Sequence, residues 1–132
     1  MLKLTKKQKN SLKKIAKKYK LNFIVLFGSQ AQGFVHSGSD FDFAYSSQAP
    51  LSYQKEFDFI KELVHIFQNP EIDLINLKDA SPLLAKEVAF KGKLLVEIVP
   101  HSFAYFQMYA YKMFNEIKSL LILKDKFIVK NL

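Results

Sequence analysis

Asn22-Phe23-Ile24-Val25-Leu26-Phe27-Gly28-Ser29 is followed, ten residues on, by Asp40-Phe41-Asp42-Phe43-Ala44-Tyr45. The reading of the whole chain turns on this stretch. Asn22–Phe27 is an apolar run rich in strand formers and is ended by a glycine. Residues 40–45 alternate an acid or a small residue with an aromatic, the period of a half-buried strand. Alternate strand residues share a face, so Asp40 and Asp42 project together while Phe41 and Phe43 enter the core. Their Cα atoms are then roughly 6–7 Å apart. Two carboxylates so placed repel unless a cation lies between them. Magnesium takes oxygen ligands and is commonly held by one or two carboxylates together with substrate phosphates. Two such ions ~3.5–4 Å apart can share these ligands and clamp an in-line displacement at phosphorus.

Gly28-Ser29 supplies a complementary element. The glycine permits a sharp turn with close backbone approach. Ser29 opens a helical turn, expected over Ser29–Val35, whose N–H groups and hydroxyl can grip phosphate. His36–Ser39 reads as a polar loop. Asp73 is an acid inside the apolar segment Ile72–Leu77, where burial without a partner is costly and a metal would serve as one. Taken singly, each piece has a plainer reading. Gly28-Ser29 is an ordinary turn with a serine cap, Asp40 and Asp42 are a solvated strand face, and Asp73 is a strand-edge charge. Their joint order points instead to a site for a metal–nucleoside triphosphate.

Outward from this centre, Thr5 and Gln8 form a capping-box pair opening a helix to about Lys20, with Leu12, Ile15, Ala16 and Tyr19 on one face. Leu51–Gln68 carries Phe57, Ile60, Leu63, Val64 and Phe67 at helical spacing and is stopped by Asn69-Pro70. Ser81–Phe90 is a helix with an early proline and Gly92 past its end. Leu94–Val99 is a last strand. Phe103, Phe106, Ala110, Phe114, Ile117 and Leu121 line a final helix at about 101–122, and Tyr105, Tyr109 and Met113 on it suit core or dimer packing. The order α-β-(α)-β-α-β-α-β-α predicts an α/β or α+β fold, a mixed sheet packed by helices. At 132 residues the chain has the size of one domain.

Composition narrows the chemistry. There is no Cys, which excludes disulfides, thiolate metal sites and Cys nucleophiles. His36, His65 and His101 lie too far apart to form a ligand pair. All 20 basic residues are Lys, so no guanidinium clamp on phosphate is possible. Nine Lys and no acid fall in residues 1–20, and the remainder sums to −1. This is a near-neutral domain with one cationic arm, which reads either as a solvated helix face or as a docking surface. No aromatic interrupts the Lys face to stack bases, so an acidic protein surface is the expected partner of a docking arm and nucleic acid is not. No apolar run approaches the ~18 residues of a membrane span. The expected location is the cytoplasm.

The motif Gly28-Ser29-x10-Asp40-x-Asp42 resembles the signature of the nucleotidyltransferase superfamily that includes DNA polymerase beta. Leu26, Phe27, Gly28, Ser29, Ala31, Gly33, Ser39, Asp40 and Asp42 resemble the minimal nucleotidyltransferases in particular. Asp73 falls where that family bears its third acid, and Leu84–Glu97 resembles its closing helix and strand. The likeness covers about residues 21–98. It implies the nucleotidyltransferase fold, to which the basic N-terminal helix over 5–20 is an addition. It also implies ATP and two Mg²⁺ ions held by Asp40, Asp42 and Asp73, with Gly28, Ser29 and Ser39 on the nucleotide. Asp73 is expected to serve the ion that activates the acceptor hydroxyl and to take its proton. Stand-alone members of this size are commonly antitoxins paired with a HEPN-domain ribonuclease toxin, in a homo- or hetero-oligomer. The implied reaction moves AMP from ATP to a toxin tyrosine. The alternatives are a binding-only antitoxin with a vestigial site and a small-molecule nucleotidyltransferase of the aminoglycoside-modifying kind. Where the family usually has Arg after Ala, this chain has Gln32, whose amide cannot pair with phosphate as Arg does.

Overall fold

The computed structural model describes residues 3–28 and 41–130, the last three by backbone alone. Helix α1 (Lys6–Lys18) leads into β1 (Leu21–Phe27), and then come β2 (Phe41–Ser47), α2 (Tyr53–Phe67) and β3 (Ile72–Asn76). A 3-10 turn (Leu77–Asp79) precedes α3 (Pro82–Lys91), β4 (Lys93–Glu97) and α4 (Ser102–Lys130). The sheet order is β3-β2-β1-β4, with β2–β3 parallel and the other two pairs antiparallel. The fold is therefore α+β, and among the described residues it is a mixed four-stranded sheet with four α-helices. Among the described residues no helix is long and apolar enough to cross a membrane.

Each face of the sheet carries its own core. Phe41, Phe43 and Tyr45 of β2, with Ile24 and Leu26 of β1, pack against Leu12, Ile15 and Ala16 of α1 and Phe59 and Leu63 of α2. The opposite face gathers Phe23, Val25 and Ala44 with Val88 of α3 and Phe103 of α4. Phe41 and Phe43 are buried, as the alternation predicts. Two tyrosine–glutamate hydrogen bonds fasten α2 to its neighbours. Tyr19 donates to Glu62 over 2.6 Å and Tyr45 donates to Glu56 over 3.3 Å. Burial first, and the adjacent carboxylate second, push both phenols well above the usual tyrosine range, so they stay protonated donors.

Helix ends follow local chemistry. Thr5 caps α1 by accepting from Gln8 N–H, while the Gln8 side chain accepts from Thr5 N–H. Ser52 and Ser81 cap α2 and α3. Replacing Thr5 by Ala is expected to cost about 1 kcal/mol, read as a lowered unfolding midpoint in urea.

Several boundaries differ from the sequence expectation. The predicted strand to Leu77 ends at Asn76, because the Asn76 side chain accepts from Lys78 N–H and turns the chain. On α2, Phe57 is 57% exposed and Phe59 is fully buried. Leu63 and Phe67 of the expected stripe do face the core, together with Phe59 and Ile66, whereas Phe57 turns to solvent. The final helix does not stop near 122 but runs to Lys130, and Ile117 and Leu121 on its predicted core face are exposed. Only its first half has a sheet and α3 to pack on.

Candidate active site

The amino ends of β2 and β3 are joined by a hydrogen bond from Phe41 N–H to the Glu71 carbonyl, 2.9 Å long. That bond sets the parallel register in which Asp42 lies opposite Asp73. Residues opposite one another in neighbouring strands share a face, so both carboxylates stand on the face covered further along by α3 and α4. Across the antiparallel β1–β2 pair, Asp42 is opposite Phe27, the residue before Gly28. Gly28 has φ +77°, a left-handed conformation that favours glycine. A Cβ built on it would collide with Oδ2 of Asp42. The end of β1 thus cradles one carboxylate oxygen of Asp42 at a distance that leaves no room for any side chain.

Of the predicted site residues, the structure brings Gly28, Asp42 and Asp73 to one end of three adjacent strands. Ser29, Ser39 and Asp40 lie outside the described residues, as do Gln32, His36 and the turn expected over Ser29–Val35. Asp73 is exposed, on a strand at the sheet's edge. The premise that it is buried in an apolar segment is therefore corrected, because β3 is covered on one side only. His65 is exposed on α2, away from these acids.

The donor set suits a hard divalent cation: carboxylate oxygens from neighbouring strands, one of them on the margin of a glycine turn that admits close approach. Among the described residues no group of three or more potential ligands gathers, and the two acids found together are the part of the expected triad that the described residues contain. The lysine-rich α1 lies elsewhere. Its apolar stripe packs on the face of the sheet opposite Asp42 and Asp73, and the nine lysines of residues 3–20 are exposed, with Lys18 paired to Glu62 of α2. That face does not line the acids.

Residues 10–100 match the family described as Polymerase beta, Nucleotidyltransferase. The chain belongs to this family. Two relatives make the likeness more particular, and both are named protein adenylyltransferase MntA. The protein from Shewanella oneidensis is 34% identical over 76 residues, 58% of this chain and 54% of that protein. The protein from Aphanizomenon flos-aquae is 32% identical over 120 residues, 83% of this chain and 79% of that one. The chain thus spans about half the length of the first relative and most of the second. Among solved structures, a chain of a toxin–antitoxin with AMP-PNP superposes with a TM-score of 0.74 at 26% identity, covering 90% of this chain and 98% of that chain. A chain of the toxin–antitoxin MntA–HepT superposes at 0.69 and 22% identity, over 93% and 99% of the two chains, and shows the shared fold.

Proposed function

We propose that this chain is an antitoxin that transfers AMP from ATP to a tyrosine hydroxyl of a HEPN-type ribonuclease toxin. The observation that carries the reading is the in-register pairing of Asp42 with Asp73 beside the glycine turn at Gly28. The adenylyltransferase names of the two relatives support it. So does the likeness to a toxin–antitoxin chain solved with AMP-PNP, an ATP analogue. Residues 1–132 would act as a single domain in the cytoplasm.

In this reading Asp40, Asp42 and Asp73 hold Mg²⁺, and Gly28, Ser29 and Ser39 seat the triphosphate. Bound Mg²⁺ neutralises phosphate charge and favours the ionised form of the acceptor hydroxyl. The chain's own residues fix the geometry, which in phosphoryl transfer is most of catalysis. The Gly28 turn fixes the Asp42 carboxylate, and the β2–β3 register fixes Asp73 beside it. The tyrosine oxygen bonds to the α-phosphorus and the bond to the β-phosphate oxygen breaks. Pyrophosphate leaves, and the phenolic proton passes to the Asp73 carboxylate.

The test is incubation of the purified chain with ATP labelled at the α-phosphate, Mg²⁺ and the partner toxin. The expected result is label on a toxin tyrosine, lost when Mg²⁺ is chelated. Toxin inhibition that needs neither ATP nor Mg²⁺, with no label transferred, would establish the binding-only alternative instead.

A further inference from the structure

Helix α4 is 29 residues long, or ~43 Å at 1.5 Å per residue. Phe103, Phe106 and Ala110 pack its first half onto β1 and α3. From residue 115 to residue 127 every position is exposed. A polar helix could project in this way, but this one carries Leu120-Leu121-Ile122-Leu123, with Leu120 61% and Leu123 62% exposed. An isolated helix of this length is marginal in water, and so large an apolar surface on it marks an interaction site.

The sequence of the segment specifies the partner. At about 100° per residue, Glu116, Ile117, Leu120, Leu123 and Lys124 form a stripe centred on Leu120, whose centre is roughly a quarter turn from that of the stripe packed on the sheet and which shares Ile117 with it. Laid antiparallel on a second copy with the twofold axis through Leu120, Leu120 meets Leu120 and Ile117 meets Leu123. Glu116 meets Lys124, and this pair occurs twice by symmetry. Among the described residues neither Glu116 nor Lys124 is in an ion pair within the chain. Self-complementarity in both shape class and charge is what an isologous interface requires. We infer that the projecting half of α4 docks antiparallel on the same segment of a second copy of this chain, forming a twofold dimer centred on Leu120.

The placement leaves the candidate active site accessible. Phe106, Tyr109 and Met113 of α4 line a cavity of about 370 Å³ with residues 46–50 and Asn76–Lys78. These are the carboxyl ends of β2 and β3, whereas Asp42 and Asp73 are near the amino ends. The projecting half leaves from the end of the sheet opposite the acids, and an acceptor can approach them in the dimer.

Sedimentation equilibrium of the full chain alone decides the matter. The expected mass is twice 15.3 kDa at high concentration, falling toward 15.3 kDa on dilution. Glu116→Lys, and separately Lys124→Glu, should each weaken the dimer about tenfold or more, because two attractive pairs become two repulsive ones. The double variant Glu116→Lys/Lys124→Glu should regain the parental dissociation constant, a rescue that only pairing between copies can give. Circular dichroism of each variant checks that α4 is intact. A chain that is monomeric at all concentrations overturns the inference, and so does failure of the double variant to recover. If the chain alone is monomeric and Leu120→Asp weakens binding of the toxin, the face belongs to that partner and the inference is likewise overturned.

Discussion

Asp42→Asn and Asp73→Asn variants are expected to fold as the parent does and to lose AMP transfer by about a hundredfold or more. Asparagine keeps the shape of each side chain and removes the charge that would hold Mg²⁺. Neutralisation of phosphate charge supplies several kcal/mol of barrier reduction in such sites, and each ~1.4 kcal/mol is tenfold in rate. Asp42 is tightly constrained by the Gly28 turn, so an isosteric change is the only one that leaves its packing alone. Asp73 is exposed at the sheet edge, and its replacement costs little stability. Single-turnover transfer from labelled ATP, alongside thermal unfolding of each variant, measures both quantities. A wild-type rate for Asp73→Asn would move the third acid elsewhere, with Glu71 and Asp79 the nearest acids in sequence.

Gly28→Ala is expected to give a comparable loss of transfer and, unlike the aspartate variants, a loss of stability. Two causes combine. At φ +77° an L-residue is strained by roughly 1–2 kcal/mol. The new Cβ also collides with the Asp42 carboxylate and must push it off position, and small displacements of a positioned catalytic group cost orders of magnitude. The pattern across variants is therefore diagnostic. Asp42→Asn lowers rate alone, whereas Gly28→Ala lowers rate and unfolding midpoint together. Parental activity in Gly28→Ala would show that the Asp42 carboxylate can move without consequence.

The sequence made the centre of the molecule legible because the physics there is local. The alternation over Asp40–Tyr45 sets the aromatics on one face of a strand, and Phe41, Phe43 and Tyr45 are buried there as it requires, while Ala44 on the other face is buried as well, beneath α3 and α4. Thr5 with Gln8, and Ser81 with Pro82, are caps whose hydrogen bonds close within three residues. What was not legible depends on neighbours distant in the chain. The opposition of Asp42 and Asp73 is set by the crossover through α2, which no spacing in the sequence encodes. The choice of Phe59 over Phe57 is made by which side of α2 meets β2 and α1. The unpacked half of α4 could not be foreseen either, since Ile117 and Leu121 continue the same stripe as Phe106 and Ala110. Periodicity tells which residues face together but not whether anything is there to face.

The strand order also leaves two margins, β3 and β4, each with backbone groups that could recruit a stray chain. Both margins carry charge: Asp73 is exposed on β3, and Lys93 and Glu97 bracket β4. Glu97 also accepts hydrogen bonds from His101 N–H and Phe103 N–H at the start of α4. On this arrangement Asp73 has a second consequence besides chemistry, because its charge discourages edge-to-edge stacking of partly folded molecules. An aliphatic replacement there would expose an uncharged Ile72–Asn76 strand and invite precipitation during expression. Any screen that scores function by soluble yield would then confuse the two losses.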